Sequence, residues 1–241
     1  MGLAIRKTSA LLAPLAAQLS WYAALSEKDL DGLGAGAPDL RLHAMREHLL
    51  AGPDDVRLVT SGWAGISRVL ADGRRQILHV AIAGDIVNAP PIPDGEVSAL
   101  TTARTINAAP LLEWLRNQPA ASAVVRAWMM SQAEHQRLLY EQIARLGAMT
   151  AYERAASFIA ELLMRHQRAG LSDGRRIPWP ATQEVIADVL GLSMVHVNRV
   201  LQQLRRDRVI ETRSGQLVVC DAEQLAAAGF ATAMCGGLTA P

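Results

Sequence analysis

The residues best suited to chemistry are polar side chains that share one face of a short predicted helix near position 200. Its apolar positions, Val197, Val200, Leu201 and Leu204, recur at helical spacing. The outward positions carry imidazole, amide and guanidinium groups and no acid: His196, Asn198, Arg199, Gln202, Gln203, Arg205 and Arg206. Such groups suit the base edges and phosphates of the major groove of duplex DNA. An ordinary helical hairpin with a solvated face is the alternative interpretation.

A predicted helix-turn-helix over residues 182–204 positions this face. Val185, Ile186 and Val189 form the apolar side of a first short helix. Gly191 supplies the turn, and Ser193 is a favourable N-cap for the second helix. A turn of three or four residues that contains glycine is what this motif requires.

The segment after the second helix predicts a wing. Residues 208–220 alternate apolar and polar side chains around Ser214-Gly215, which indicates a β-hairpin. Between positions 199 and 213, five arginines face only two acids, a local excess of three positive charges in a chain of net charge +1. This local excess favours binding to nucleic acid. The predicted DNA-contacting set is Thr182, Gln183, Ser193, His196, Asn198, Arg199, Gln202, Arg205, Arg206, Arg208 and Arg213.

Composition indicates a soluble globular protein with one large or two modest cores. The chain has 241 residues, of which half are apolar and a fifth charged. Nothing in the positions of Cys220 and Cys235 indicates a disulfide, so we expect the protein to reside in a reducing cytoplasm. No apolar run approaches the roughly 18 residues of a membrane span. Arg6-Lys7 before an apolar run resembles a signal peptide, but Pro14 interrupts the run, so we expect an N-terminal helix.

The region from about residue 40 to 105 predicts short strands joined by tight turns. Residues 56–60, 63–70 and 75–82 have strand character, and Asp72-Gly73 is a hairpin signal between the last two. Glycine and proline pairs punctuate the remainder, including the turn at 90–95. Many short strands with regular turns favour a small barrel or roll.

A long helix is predicted over residues 119–146, with Pro119 at its first position. One face has the 3.5-residue period of a coiled-coil seam: Val125, Met129, Gln132, Gln136, Leu139, Ile143 and Leu146. We therefore expect a dimerisation helix, and a core helix of a single domain is the alternative. A neighbouring stripe is expected to pack on the roll: Val124, Trp128, His135 and Leu138.

Gly147 is expected to end the long helix, and Thr150 and Glu153 form a capping box for the next one, which runs to Gly170. The step between them is the expected hinge. The predicted domains are a sensor over residues 1–117, a dimerisation helix and hinge over 118–148, and a DNA-binding domain over 149–241.

This order of parts resembles the bacterial CRP/FNR transcriptional regulators over roughly residues 30–225. The most specific match is 182–204, and residues 72–78 and Gly84-Asp85-Ile86 add support. The resemblance implies an α+β fold: a cyclic-nucleotide-binding-like β-roll, a long dimerisation helix and a C-terminal winged helix-turn-helix. It also implies a homodimer, an inverted-repeat promoter as partner, contact with RNA polymerase, and an activator more than a repressor.

The recognition helix departs from the best-known members. Met194-Val195 stand where those members have a pair ending in a base-reading glutamate. Arg199 matches the family's base-contacting arginine, so it remains a candidate reader of guanine, and Asn198 a candidate reader of adenine. The half-site of the well-studied members is therefore not carried over.

The sensor departs further. Cyclic-AMP-binding members hold the phosphate with a Gly-Glu step and an Arg-Ser pair, and Gly84-Asp85 resembles only the first. Residues 88–99 contain no arginine and carry Asp94 and Glu96, so we expect that cyclic AMP is not the effector. The candidate effector pocket comprises Gly84, Asp85, Ile86 and Arg104, the nearest cation along the chain.

The sequence predicts no cofactor, no metal site and no enzyme activity. An iron–sulfur cluster would need about four cysteines, and the chain has two. We find no phosphate-binding glycine loop and no metal-ligand spacing. Haem is an alternative on the number of histidines alone, namely His43, His48, His79 and His135. Two further alternatives are another small-ligand-sensing regulator and a ligand- or partner-binding module that does not bind DNA. The effector is unknown, or absent.

Overall fold

The computed structural model describes residues 2–34, 39–91 and 94–229, and within them the chain forms eight helices and ten strands. The helices are α1 (Gly2–Ser20), α2 (Glu27–Leu33), α3 (Ala109–Arg116), α4 (Ala123–Ala148), α5 (Ala151–Arg168), α6 (Gln183–Leu190), α7 (Met194–Arg206) and α8 (Ala222–Ala228). The strands are β1 (Arg41–His43), β2 (Arg57–Ser61), β3 (Ala64–Val69), β4 (Arg75–Ala81), β5 (Ile86–Val87), β6 (Glu96–Ala99), β7 (Ala103–Asn107), β8 (Arg176–Pro178), β9 (Ile210–Arg213) and β10 (Gln216–Val219). Cys235 and part of the predicted turn at 90–95 lie outside the described residues.

The first seven strands form a roll of two antiparallel sheets. One has the order β1-β7-β2-β5 and the other β4-β3-β6. Between them lies a small core of alternate inward side chains, including Val59, Ile66 and Val97. The three predicted strands are observed as β2, β3 and β4, and Gly73 (φ +83°) lies in the tight turn that joins β3 to β4. The predicted roll is confirmed.

Three helices and the start of α4 cover the outer face of the four-stranded sheet. Leu15 and Leu19 of α1 pack with Leu58 of β2, Leu111 of α3 and Val124 of α4. The expected N-terminal helix is therefore present, with Pro14 inside it. Helices α2 and α3 were not predicted. None of the described helices is long and apolar enough to cross a membrane.

Both predicted ends of the long helix are wrong by a few residues. The helix starts at Ala123, because the Ser122 hydroxyl accepts the Val125 N–H and caps it, whereas Pro119 lies in the preceding turn. At the other end Gly147 continues the helix, which Met149 ends by turning to extended backbone (φ −93°, ψ 145°). Gly147 does not take the left-handed conformation in which glycine most often ends a helix.

The C-terminal half is a winged helix. The predicted Thr150–Glu153 capping box starts α5, with reciprocal side-chain-to-backbone hydrogen bonds. Helices α6 and α7 form the helix-turn-helix, and β8, β10 and β9 form an antiparallel sheet that contains the wing. Helix α8, which was not predicted, packs on α5.

The two halves share one continuous core. The winged-helix core includes Trp63, Ile77 and Leu100 of the roll. Trp63 is 2% exposed and makes an edge-to-face contact with Trp179, with ring centroids 5.7 Å apart. The first helix of the helix-turn-helix, α6, lies directly on β4. The DNA-binding half is therefore docked on the sensor half through a packed interface.

Candidate nucleic-acid interface and sensor cavity

The helix-turn-helix forms because each local signal matches its backbone. Gly191 adopts the left-handed conformation (φ +61°, ψ +40°) that ends α6. Val197, Val200, Leu201 and Leu204 of α7 are buried against the winged-helix core. Burying this stripe forces the polar side chains of α7 outward.

The outward face of α7 is exposed as predicted. His196, Arg199, Gln202, Arg205 and Arg206 are all exposed. No acid lies between Met194 and Arg206. The face therefore presents donors and acceptors with positive charge, the combination that contacts bases and phosphates.

Two of the predicted contact residues, Thr182 and Ser193, act as helix caps. Thr182 accepts the Val185 N–H at the start of α6. Ser193 accepts the His196 N–H at the start of α7, and its oxygen lies 3.2 Å from His196 Nδ1. Both residues are exposed, so the N-terminal ends of α6 and α7 lie at the surface.

The two candidate base-reading residues, Arg199 and Asn198, differ in whether their side chains already make hydrogen bonds. Within the described part of the chain, the Arg199 side chain has no hydrogen-bond or ion-pair partner. Asn198 is half-buried, and its Oδ1 accepts a hydrogen bond from Gln183 Nε2 at 2.7 Å. A bidentate contact with adenine uses both ends of an asparagine amide, so Asn198 would have to release Gln183 to make one.

The arginines that follow α7 lie at or near the wing. Arg205 Nε donates to Thr212 Oγ1 at 3.1 Å, which ties the end of α7 to β9. Arg208 is exposed in the connection between them, with φ +59°. Arg213 is exposed at the turn of the wing and pairs with Glu211 at 2.8 Å. All three side chains are exposed at the end of α7 or in the wing, and such exposed arginines suit DNA phosphates.

Helix α4 shows two different faces. Val124 and Leu138 are buried, and Trp128 and His135 line a cavity against the roll and α1, so the predicted packing stripe is confirmed. On the opposite face Met129, Tyr140 and Ile143 are 65%, 61% and 66% exposed. An apolar stripe of this length open to solvent is typical of an interaction surface. The predicted seam residues Val125, Gln132, Leu139 and Leu146 are half-buried, and Gln136 is exposed.

The cavity, of about 200 Å³, lies where the roll meets α1, α4 and α5. We call it the sensor cavity. Three of the four predicted effector-pocket residues, Gly84, Asp85 and Ile86, line it. Arg104 does not, and its placement in the pocket was wrong, because strand alternation turns Arg104 to the exposed face of β7 while Ala103 and Thr105 are buried.

The cations of the cavity come instead from α5, and they are Arg165 and Arg168. Arg165 Nη2 lies 2.5 Å from Asp85 Oδ2, and its Nη1 lies 3.1 Å from Glu161. Burial alone would lower the pKa of Arg165, but the two carboxylates outweigh it and raise that pKa. Neither ion pair of Arg165 was predicted; Asp85 and Arg165 are 80 residues apart, so no local pattern indicates their pair.

The three acids that were predicted to repel an anion, Asp85, Asp94 and Glu96, do not surround one site. Asp94 lies outside the cavity, 83% exposed and 3.4 Å from Arg68. Glu96 also lies outside it, 3.4 Å from His48. Of the three, only Asp85 lines the cavity. The three acids predicted to repel an anion are therefore reduced to one, and Arg165 neutralises it.

Two of the four candidate histidines converge on the cavity. The rings of His79 (β4) and His135 (α4) have centroids 4.4 Å apart. Burial lowers the pKa of both rings and Arg165 lowers it further, while Asp85 and Glu161 only partly offset this at His135, so both rings are neutral near pH 7. His43 of β1 instead makes a buried hydrogen bond with Thr105 Oγ1 of the neighbouring strand β7, and His48 is at the surface. Among the described residues, no group of three or more histidine, cysteine, aspartate or glutamate side chains has a metal-binding arrangement.

Buried ionic groups link the cavity to the helix-turn-helix. Glu161 bridges Arg165 to Arg145 of α4, which it contacts at 2.7 Å. Arg145 also bonds to Gln142, whose Nε2 donates to the Val189 carbonyl at 2.7 Å. Val189 lies two residues before the turn glycine. A continuous polar path therefore runs from the cavity wall to the end of α6.

Comparisons with known proteins agree with this architecture. The sequence profile of the Crp-like helix-turn-helix domain matches residues 153–228. The chain is 29% identical to the nitrogen fixation regulation protein FixK of Azorhizobium caulinodans, over 69% of this chain and 67% of that protein. It is 26% identical to the transcriptional activator protein FnrL of Cereibacter sphaeroides, over 69% of this chain and 68% of the relative.

Solved structures show the same fold. The structure of FixK2 from Bradyrhizobium japonicum superimposes with a TM-score of 0.65 and 22% identity, covering 80% of this chain and 97% of that one. The predicted α+β fold, with an N-terminal β-roll, a long helix and a C-terminal winged helix-turn-helix, is confirmed.

Proposed function

We propose that this chain is a transcriptional regulator of the CRP/FNR family, which binds an inverted-repeat promoter as a homodimer and responds to an effector other than cyclic AMP. The match of residues 153–228 to the Crp-like helix-turn-helix domain and the similarity to FixK support this proposal. The family is one of transcription factors and not of enzymes. The observation that carries the proposal is the exposed, acid-free face of α7 beside a wing rich in arginine.

The proposed dimer axis is α4. Its exposed Met129, Tyr140 and Ile143 lie along the side of the helix away from the roll. A second copy of the same stripe covers them in a symmetric coiled-coil contact. The dimer presents two α7 helices to successive major grooves, so the operator is an inverted repeat.

Base recognition is assigned to α7 and backbone contact to the wing. Arg199, exposed and without a partner among the described residues, reads a guanine. Arg208 and Arg213 contact phosphates and add affinity without sequence preference. The predicted domain boundaries at about residues 117 and 148 are kept as part of this proposal, with the hinge at Met149–Thr150.

Further parts of the proposal rest on the relatives. FnrL is named a transcriptional activator, so activation through contact with RNA polymerase, in the cytoplasm, is the proposed mode of action. Against cyclic AMP stands the charge of the sensor cavity. Arg165 and Arg168 are each paired with a carboxylate, and Arg104 faces solvent, so no unpaired cation in the described cavity meets a cyclic phosphate.

The test compares two arginine variants on a selected operator duplex and on a random duplex, by fluorescence anisotropy. Arg199→Ala should lose about 1–3 kcal/mol on the operator, roughly 5- to 150-fold in affinity, and little on random DNA. Arg213→Ala is the control, because a phosphate contact should weaken both duplexes alike and lower the salt slope by about one. An unchanged ratio between the two duplexes for Arg199→Ala would refute the assignment.

A further inference from the structure

The sensor cavity has an apolar wall and a balanced set of charges. Leu15 of α1, Ile86 of β5, and Trp128 and Leu138 of α4 supply apolar surface. The charged side chains that line it, among the described residues, are two acids and two arginines: Asp85, Glu134, Arg165 and Arg168. A pocket of about 200 Å³ is smaller than the roughly 300–1,000 Å³ that takes drug-sized ligands, so its ligand is compact.

Each charge in the cavity has an opposite partner. Arg165 contacts Asp85 at 2.5 Å. Arg168 contacts Glu134 at 2.8 Å, and also the Tyr22 hydroxyl at 3.4 Å. An anionic ligand would have to displace Asp85 or Glu134, and a cationic ligand would have to displace an arginine. Either displacement leaves a buried charge without a partner, which costs several kcal/mol.

Two polar side chains in the cavity remain free to bind a ligand. Neither ring nitrogen of His135 has a hydrogen-bond partner among the described residues, and the same is true of the Gln132 amide. His79, beside His135, already accepts from Arg165 at 3.4 Å. A neutral imidazole has one donor and one acceptor, and an amide has both. The cavity therefore offers uncharged hydrogen-bonding groups together with apolar surface.

From this arrangement we infer that the sensor cavity binds a compact, uncharged, largely apolar molecule with one hydrogen-bonding group directed at His135 and Gln132. Binding of this ligand does not depend on the proposed function, and only its coupling to DNA binding rests on that function. Coupling has a structural route, because Gln132 and Leu139 line the cavity and also belong to the predicted dimer seam. Asp85 and Arg165 connect the same cavity to the polar path that ends at Val189.

The test uses two probes of equal shape and different charge, 2-naphthamide and 2-naphthoate, with isothermal titration calorimetry on the full-length protein at pH 7.5. The amide should bind saturably and at least tenfold more tightly than the carboxylate. Equal affinities, a preference for the carboxylate, or no saturable binding of the amide would overturn the inference.

Charge variants make the test specific to this cavity. Glu134→Gln removes the carboxylate that pairs with Arg168, so it should raise affinity for 2-naphthoate at least tenfold. Asp85→Asn leaves Arg165 only Glu161, which Arg165 shares with Arg145, so it should raise the same affinity by a smaller factor. Two variants are used because Asp85 also accepts the Ile82 N–H and supports its own turn. The control is Glu141→Gln, since Glu141 pairs with Arg137 on α4 and does not line the cavity. The same gain in the control would overturn the assignment.

A second pair of variants locates the binding site. Ser131→Trp fills the cavity and should abolish amide binding, whereas Met130→Trp, at an exposed neighbouring position, should retain it. Amide binding that survives in Ser131→Trp would contradict the location. The affinity for operator DNA, measured by fluorescence anisotropy with and without 2-naphthamide, then shows whether ligand binding changes DNA binding. A failure of this coupling is thereby distinguished from a failure of the amide to bind.

Discussion

Replacing Arg165 by glutamine should show how strongly the two halves are held together. The change leaves Asp85 with the Ile82 N–H at 2.7 Å and Gln18 at 3.3 Å, but without a cation at 2.5 Å. Glu161 keeps Arg145 at 2.7 Å, so only one carboxylate loses its charge partner. Breaking a buried pair costs about 3–5 kcal/mol. The Asp85 side chain is still 19% exposed, so we expect the lower end, about 3 kcal/mol.

The measurement is thermal unfolding followed by circular dichroism. At about 2–4 °C per kcal/mol for a chain of this size, the variant should melt roughly 6–12 °C below the parent protein. The double variant Asp85→Asn with Arg165→Gln should cost less than the sum of the single changes, because the two groups interact. Arg213→Gln is the matched control, since it breaks an exposed pair with Glu211 and should change stability by less than about 0.5 kcal/mol. A loss in Arg165→Gln no larger than the control, or strict additivity, would refute this reasoning.

Three other expectations concern assembly, pH and the effector. Replacing Leu139 and Ile143 of α4 by aspartate should give folded monomers that lose operator binding, and a sedimentation profile that still shows a dimer would contradict the seam. Burial lowers the pKa of His79 below its unfolded value. The buried neutral ring therefore costs no stability above about pH 6.5, and the free energy of unfolding falls as the pH drops below that value. Between pH 7.5 and 5.5 the free energy of unfolding should fall by about 1 kcal/mol in denaturant titrations, and a His79→Gln protein with an unchanged pH dependence would exclude this role of His79. Millimolar cyclic AMP should give no binding heat and no change in operator affinity, and micromolar binding would show that the Asp85–Arg165 pair opens for a phosphate.

Sequence sufficed where a structural signal is local. The Thr150–Glu153 capping box, the left-handed Gly191 and the Ser214-Gly215 hairpin turn each depend on a few consecutive residues, and each is found where predicted. The recognition face follows from the same periodicity. Helix ends were less secure, because Ser122 and Pro119 were both plausible starts and only the cap hydrogen bond decides between them.

The sensor cavity could not be read from the sequence for a physical reason. Its charges pair across 80 residues, between a roll turn and α5, so nothing near Asp85 in the chain indicates Arg165. The nearest cation along the chain, Arg104, misled the prediction because one residue of strand register decides which face a side chain takes. His79 and His135 likewise meet only when α4 lies on β4.

Selection of bound duplexes from a randomised pool tests the central proposal, dimeric and sequence-specific DNA binding, most directly. The account predicts an enriched inverted repeat whose half-site centres are about 34 Å apart, one turn of DNA. Arg199→Ala should lose preference at one base pair in each half of the repeat. Enrichment of a single half-site, of a direct repeat, or of no motif at all would contradict it.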